Sequence, residues 1–443
     1  MNNSSPTRVI LVRHGQSTYN QEKRIQGRSD LSVLTEKGQA DARLLGQTLA
    51  PLAIASIYTS PLQRAQQTAA IIQTYINAPL KNVEDLREID LPPWEGLHKD
   101  QVKAEYPDEY YQWKHHPAEF TMTREGQTFQ PVISLFAQAR RFWQELPKTG
   151  ETILIVAHNA INRALLATAL GIPPAYYHHI QQSNCCINVL NFLGQGRVQL
   201  ESLNQTAHLG EALPKPREGD RGLRLLLVRH GETQWNRETR FQGQIDVPLN
   251  DHGQQQAQKL ADLLASYPID LAVSSPMLRP RETAAIVLKN HPQVELQLEP
   301  ALQEINHGLW EGKLETEIQE LFPAELAAWR SRPEQVQMPG GENLQQVWDR
   351  AIAAWQSILN RADWGDDRLT NIMVVAHDAI NKVILCHLMG LSPAEFWQIK
   401  QGNGGLSIID YPEGPGGMAI LQAVNITTHL SGTIVDQTAA GAL

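Results

Sequence analysis

At 443 residues, 42% of them hydrophobic and 19% charged, the chain has a globular composition and enough length for more than one sizeable core. Its net charge of −9 speaks against nucleic acid or anionic membrane as a general partner, so any anion-binding pocket must be a local concentration of positive charge. Three cysteines, two of them adjacent, and no run near the ~18 apolar residues of a membrane span exclude a disulfide scaffold and a transmembrane helix, and predict a cytoplasmic setting.

The first predicted element is an aliphatic strand ending in Arg13-His14-Gly15, within LVRHGQSTYN at 11–20. The MNNSSPTR that precedes it is too short and too poor in arginine to read as a targeting peptide. The C-terminal end of a strand is where open α/β sheets carry their chemistry. Residues 34–50 have helical spacing, with Thr35 as N-cap. A strand over 55–59 follows, and Ser60-Pro61 opens a helix that carries Arg64, proline being tolerated in a first turn. Glu88 lies in LREI with WEG just beyond it, and a P-x-E-x-x-x-W segment ending at Trp113 reads as a helix walling the site. The apolar run 152–157 is another buried strand, ending at His158. The pairs His115-His116 and His178-His179 lack the i,i+4 spacing of helical metal ligands and read as surface residues. Cys185, Cys186 and Cys386 read as small buried side chains rather than nucleophiles.

The same order then recurs. LVRHGETQWN stands at 227–236, and His14 and His230, Asn20 and Asn236, Gln26 and Gln242, Glu88 and Glu304, and Trp113 and Trp329 are all 216 residues apart. Arg64 and Arg279 are 215 apart, and the strand 371–376 ends at His377 after a slip that fits a longer loop at 363–368. The chain is therefore two copies of one domain, predicted at 7–210 and 223–431. A linker rich in charge, proline and glycine joins them at 211–222, and a small-residue tail, 432–443, is expected to fray or pack loosely. Alternating strands and helices predict an α/β fold in each, a mainly parallel sheet flanked by helices.

Each copy brings two arginines, two histidines and a glutamate to strand ends or the loops beyond. Two guanidiniums clamp a phosphate dianion through forked hydrogen bonds. A neutral imidazole attacks phosphorus, a second imidazole, if protonated, adds a positive donor, and a carboxylic acid protonates the departing oxygen. No cluster has metal-ligand spacing and no Gly-rich Walker loop occurs, so the predicted chemistry is phosphoryl transfer with neither metal nor cofactor.

The ordered set resembles the histidine phosphatase superfamily, which includes phosphoglycerate mutases. It comprises RHGxSxxN or RHGxTxxN, QG twelve residues after the histidine, SPLQR or SPMLR, LREI or LQEI, WEG, and a strand ending in AH. The resemblance covers about 200 residues in each half. It implies two tandem phosphoglycerate mutase-like domains in which His14 and His230 become phosphohistidine. Arg13, Arg64 and His158 would bind the phosphoryl group in the first copy, with Asn20 and Gln26 assisting, and Arg229, Arg279, His377, Asn236 and Gln242 in the second. Glu88 and Glu304 would be the general acids.

There are departures. Family members commonly have glycine after the second histidine, where this chain has Asn159 and Asp378. A carboxylate at 378 must point elsewhere or meet a substrate cation such as an ammonium. PGGE is present at 339–342, but the first copy has REGQ at 124–127. The spacing from acid to second histidine, 70 and 73 residues, is similar to the compact phosphatase branch rather than to mutases. The first half resembles plant 2-carboxy-D-arabinitol-1-phosphatases, also tandem. The second, with His307 three residues after Glu304, resembles metal-independent phosphoserine phosphatases, and His307 is placed to meet a substrate carboxylate. The expected partner is a small phosphorylated, carboxylated metabolite, and the two pockets are expected to differ in preference. The oligomeric state stays open, a homodimer included. The alternatives are a mutase, or one domain kept as a non-catalytic phosphometabolite-binding module.

Overall fold

The computed structural model describes residues 6–216, 221–365 and 368–438. The chain divides between Leu213 and Pro214 into two compact units, inside the predicted linker, of which 217–220 lie outside the described residues. The first unit contains β1 (Thr7–Arg13), β2 (Ile54–Thr59), β3 (Leu80–Asn82), a small hairpin of β4 (Met122–Arg124) and β5 (Gln127–Phe129), then β6 (Thr152–Ala157), β7 (Ile187–Gly194) and β8 (Arg197–Gln205). Its sheet runs β3-β2-β6-β1-β7-β8. The pairs β1–β6, β2–β6 and β2–β3 are parallel, while β7 lies antiparallel to β1 and β8. The second unit repeats this with β9 (Gly222–Arg229), β10 (Leu271–Ser274), β11 (Leu296–Leu298), β12 (Leu369–Ala376), β13 (Leu406–Tyr411) and β14 (Ile420–Ile426), in the order β11-β10-β12-β9-β13-β14. Both units thus have the predicted mainly parallel α/β sheet.

The central strands are buried on both faces, which is why they read as unbroken aliphatic runs: Val9, Ile10, Leu11 and Val12 have no exposure, nor do Leu225 to Val228. The helix predicted at 34–50 is Glu36–Leu49, and Thr35 caps it by accepting the Gly38 N–H. The helix carrying Arg64 is Gln63–Gln73 with Leu62 at its N-cap, so Pro61 precedes the helix rather than entering its first turn. Parallel strands all point the same way, so the residues after β1, β2, β3 and β6 converge at one end of the first sheet, and those after β9, β10, β11 and β12 at one end of the second.

The tail departs from expectation. Up to residue 438 it is folded against its own domain: Asp436 is buried, its carboxylate 3.3 Å from Lys400 Nζ and from Asn425 Nδ2. A buried carboxylate needs such partners, and they tie the segment down. Residues 439–443 of the tail, and 366–367 of the loop invoked for the slip in register, lie outside the described residues. No helix among the described residues is long and apolar enough to cross a membrane.

Candidate active site

His14 follows β1 directly, and its N–H continues the ladder onto Ala157 O at 2.9 Å. Its Nδ1 lies 2.7 Å from Gly15 O, and His230 Nδ1 lies 2.7 Å from Gly231 O. A carbonyl only accepts, so Nδ1 carries the proton and Nε2 keeps its lone pair. In the second domain Arg279 Nε donates to His230 Nε2 at 3.2 Å, which demands the same tautomer. Burial and then the nearby arginines hold both imidazoles well below the usual histidine range, so both are neutral. The glycine of each RHG is set by packing: a Cβ on Gly15 would lie 2.4 Å from Gly38 O, and one on Gly231 2.4 Å from Gly253 O.

The arginines are pre-aimed. Arg64 is fully buried and spends its two terminal nitrogens on Ser29 O (2.8 Å) and Gly27 O (2.9 Å), as Arg279 does on Ile245 O (3.2 Å) and Gly243 O (2.9 Å). Arg13 Nη1 is held by Gln182 O at 2.8 Å and Arg229 Nη1 by Gln401 O at 2.6 Å. The Nε atoms of Arg13, Arg64 and Arg229 are buried without a hydrogen-bond partner. Desolvation pulls Arg13 and Arg279 down to about 10 and lowers Arg64 as well, the signature of guanidiniums short of counter-charge. A dianion supplies it.

His158 and His377 end β6 and β12, their rings 5.1 and 5.2 Å from those of His14 and His230. Each Nε2 sits on a serine hydroxyl, Ser60 Oγ at 2.8 Å and Ser275 Oγ at 2.9 Å, and each Nδ1 is buried with no partner. Burial holds both well below the usual histidine range. Both rings are therefore neutral, without the positive charge that a protonated second imidazole would add. Asn20 Oδ1 accepts from Ser17 N (3.2 Å) and Asn184 Nδ2 (3.1 Å), and Asn236 Oδ1 from Thr233 N (3.1 Å) and Asn403 Nδ2 (3.2 Å), which leaves each amide NH₂ to donate. Gln26 Oε1 takes the Ser17 hydroxyl at 3.0 Å. In the second domain Arg229, His230, Asn236, Gln242, Arg279 and Glu304 line one pocket.

The two carboxyls lie beside these groups, each at the N-terminus of the helix that follows the second histidine. Glu88 accepts from Ile89 N (2.9 Å), Ala160 N (3.1 Å) and Ile161 N (3.1 Å). Glu304 accepts from Ile305 N (3.0 Å) and, more loosely, from Ala379 N (3.4 Å). Burial, reinforced by the neighbouring Asp378 charge, raises the Glu304 carboxyl above the ordinary range, as a general acid requires.

The sequence pattern of the histidine phosphatase superfamily (branch 1) matches residues 9–206 and again 225–423. The chain belongs to that superfamily. It is 34% identical to a 2-carboxy-D-arabinitol-1-phosphatase of Triticum aestivum over 96% of its own length and 86% of the relative's. Phosphoserine phosphatase 1 of Hydrogenobacter thermophilus is 32% identical over 47% of this chain and 94% of that protein. A glucosyl-3-phosphoglycerate phosphatase of Mycolicibacterium vanbaalenii is 32% identical over 42% of the chain and 81% of that protein.

The two superfamily domains hold their acid loops differently. In the second, Arg350 reaches Ala301 O (2.8 Å), Gln303 O and Glu304 O (3.0 Å) while gripping Glu342 with two nitrogens at 2.8 and 2.9 Å. Glu342, the last residue of PGGE, in turn accepts the Asn306 N–H at 2.8 Å. The glycines of that loop permit close approach: a Cβ on Gly341 would fall 2.2 Å from Asn306 O. In the first domain the β4–β5 hairpin replaces the loop. Gln138 Nε2 takes over Asp85 O (3.0 Å) and Arg87 O (2.8 Å), and Arg28 Nε takes Glu88 O (3.1 Å).

Two expectations about single residues change. Asp378 does not wait for a substrate ammonium: Lys382 Nζ lies 2.6 Å from one oxygen and Arg229 Nη1 3.3 Å from the other. His178 is half-buried rather than a free surface residue: its Nε2 donates to Trp113 O at 2.7 Å and its ring packs edge-on against Trp113 at 4.8 Å. The supporting residues Asn184, Asn403, Ser60, Ser275, Gln138 and Arg350 were missed. The first four were findable, because Asn184 and Asn403 share the 219-residue register of the second histidines and Ser60 and Ser275 the 215-residue register of the arginines.

Cysteines 185, 186 and 386 are free and buried, as expected. Trp329 has no exposure and packs edge-on to Trp397 at 5.4 Å, as a packing residue should. Among the described residues no group of three or more His, Cys, Asp or Glu is arranged to hold a metal ion.

Proposed function

We propose that the chain is a metal-independent phosphomonoesterase that works through phosphohistidine on a small phosphorylated carboxylate. The observation that carries this reading is the fixed tautomer of His230, its Nδ1 on Gly231 O and its Nε2 beside Arg279 in a pocket shared with Glu304. His230 Nε2 attacks phosphorus, the bond to the ester oxygen breaks, and the Glu304 proton passes to that oxygen. Glu304 then takes a proton from water, whose oxygen attacks the phosphohistidine and returns neutral His230 with inorganic phosphate. Arg229, Arg279, Asn236 and the His377 Nδ1–H face the equatorial oxygens, where transition-state charge accumulates. His14, Glu88, Arg13, Arg64, Asn20 and His158 have the same roles in the first domain. Rapid quenching during turnover of ³²P-labelled substrate tests this. Acid-labile, alkali-stable label on the protein, with one phosphate released per ester and no need for 2,3-bisphosphoglycerate, is the expected result. Return of label to a second hydroxyl without phosphate release makes the protein a mutase instead.

The cations of this mechanism are side chains. Dialysis against EDTA is accordingly expected to leave the rate unchanged, and a collapse restored by Mg²⁺ overturns the charge inventory.

The relatives named for 2-carboxy-D-arabinitol 1-phosphate and phosphoserine support a carboxylated substrate. His307 is the residue we assign to the carboxylate. It has no exposure, packs against Phe241, Trp310 and Trp329 with ring centroids 5.2 to 6.4 Å away, and burial drives it down to about 3. It therefore acts as a neutral N–H donor, never as a cation. Both its ring nitrogens and the Nε1 atoms of Trp310 and Trp329 are buried without partners. Each unmade bond of that kind costs about 1–3 kcal/mol, which an acceptor-rich substrate group would recover. The first domain has Leu91 at this position. His307→Ala, or His307→Leu to keep volume, is expected to raise KM for phosphoserine roughly tenfold while sparing an aryl phosphate. Equal effects on both substrates would make His307 a packing residue.

A further inference from the structure

The residue after the second histidine differs in charge between the two domains. In the second it is Asp378, at the start of the helix Asp378–Leu388 and 2% exposed. Its partners are internal: Lys382 one turn along the same helix at 2.6 Å, and Arg229 from the end of β9 at 3.3 Å. Lys382 is itself enclosed, its Nζ 4.9 Å from the Phe396 ring centre and 4.7 Å from that of Trp397. The first domain places Asn159 and Arg163 at the same two positions. Arg163 there stacks over Tyr177 at 5.4 Å and meets His178 Nδ1 at 3.3 Å. A buried carboxylate has thus been added to one site and omitted from the other. Nothing in the fold requires it, since the first domain builds the same helix without it.

The added charge lies against the acid. Glu304 Oε2 is bonded to the N–H of Ala379, the residue next to Asp378, at 3.4 Å. The charged groups around Glu304 come from every packed element: Arg229 from β9, Arg279 from the helix Leu278–Leu288, Asp378 and Lys382 from the helix after His377, and Arg350, already paired with Glu342, behind its carbonyl. His230 and His377 are neutral. Among these, Asp378 opposes ionisation of Glu304 while Arg229 and Arg279 favour it. Asp378 also lies 3.3 Å from the terminal nitrogen of Arg229, and its opposite charge offsets part of that arginine's pull on the carboxyl. The amide grip acts in the same direction, two N–H donors on Glu304 against three on Glu88.

We propose that Asp378, clamped between Lys382 and Arg229, is a positioning residue that sets the alkaline limit of the second site. It touches neither phosphate nor leaving group. Its charge keeps the neighbouring acid loaded with the proton the leaving oxygen needs, to a pH at which an asparagine would have let it go. Lys382, 2.6 Å away, is the ion-pair partner of Asp378, so the pair is one device. The proposal rests on the reading of Glu304 as general acid.

The test uses the full chain with His14→Ala, so that only the second site turns over. The pH dependence of kcat/KM is measured from about pH 5 to 9 on an alkyl phosphate (phosphoserine) and on an aryl phosphate that leaves without protonation. Asp378→Asn is expected to move the alkaline limb for phosphoserine to lower pH, so that the ratio of rates at pH 8 and pH 6 falls several-fold. The aryl phosphate profile stays in place. Because a lone buried Lys382 can impair folding, the double variant Asp378→Asn/Lys382→Arg, which installs the first domain's pair, is expected to shift the limb in the same direction. Phosphoserine limbs that coincide with the parent's in both variants overturn the proposal. Glu304→Gln in the same background separates the two claims. Loss of the alkaline limb places it on Glu304, whereas a limb that survives Glu304→Gln refutes the general-acid reading itself.

Discussion

His230→Ala is expected to abolish turnover through the second site, a loss on the order of 10⁴-fold or more. The nucleophile has no stand-in. His377 is the other imidazole in reach, but its Nε2 is engaged by Ser275 and its Nδ1 is assigned as a donor in the proposed mechanism. Alanine also removes the ring that Arg279 Nε contacts, so the phosphate loses its covalent acceptor while its electrostatic cradle survives. Substrate binding should persist where chemistry stops. Because two sites share one chain, the measurement needs three proteins: His14→Ala, His230→Ala and the double variant. Full activity in both singles means redundant sites. A wild-type rate in His14→Ala with none in His230→Ala makes the first domain a binding module. A double variant that still turns over at the parent rate removes phosphohistidine from the mechanism.

The second large effect is expected at Glu304. A general acid contributes about 10²–10⁴-fold, and chiefly where the leaving group is a poor one such as an alkoxide. Glu304→Gln keeps shape and most hydrogen bonding but carries no transferable proton. Phosphoserine hydrolysis should therefore fall by roughly 10²-fold or more, and that of an activated aryl phosphate by about tenfold or less. The residual aryl effect reflects the later step, in which Glu304 deprotonates water. Equal losses on both substrates would reassign Glu304 to holding the loop that Arg350 anchors. The acid limb should change little in either case, because both nucleophilic imidazoles are held neutral far below the working range.

Much of this site was legible in one dimension because its main parts are local. A short aliphatic run followed by Arg-His-Gly places the histidine at a strand end, and the Thr35 cap, the strand before His158 and the helix around Trp113 all follow from neighbours in sequence. Repetition did the rest, since a shared register picks out the residues that two copies of one pocket have in common. That logic reached His14, Arg64, Glu88 and their counterparts, and it would have reached Asn184 and Ser60 had the register been followed to its end.

What differs between the copies was not legible. Asp378 invited a substrate ammonium because nothing nearby in sequence revealed that Arg229, from another strand, and Lys382 would enclose it. His178 looked like a surface residue until the fold brought the Trp113 carbonyl to it, and the tail looked loose until Lys400 met Asp436. Covalent order and strand-end position therefore determined the fold class, the duplication and the choice of candidate site residues, because those depend on turn chemistry and periodicity over a few residues. Tertiary structure alone decided which polar groups are neutral, which are paired, and which remain unsatisfied. Those properties depend on burial and on partners far away in the chain, and a charge's energy is set by what surrounds it in space.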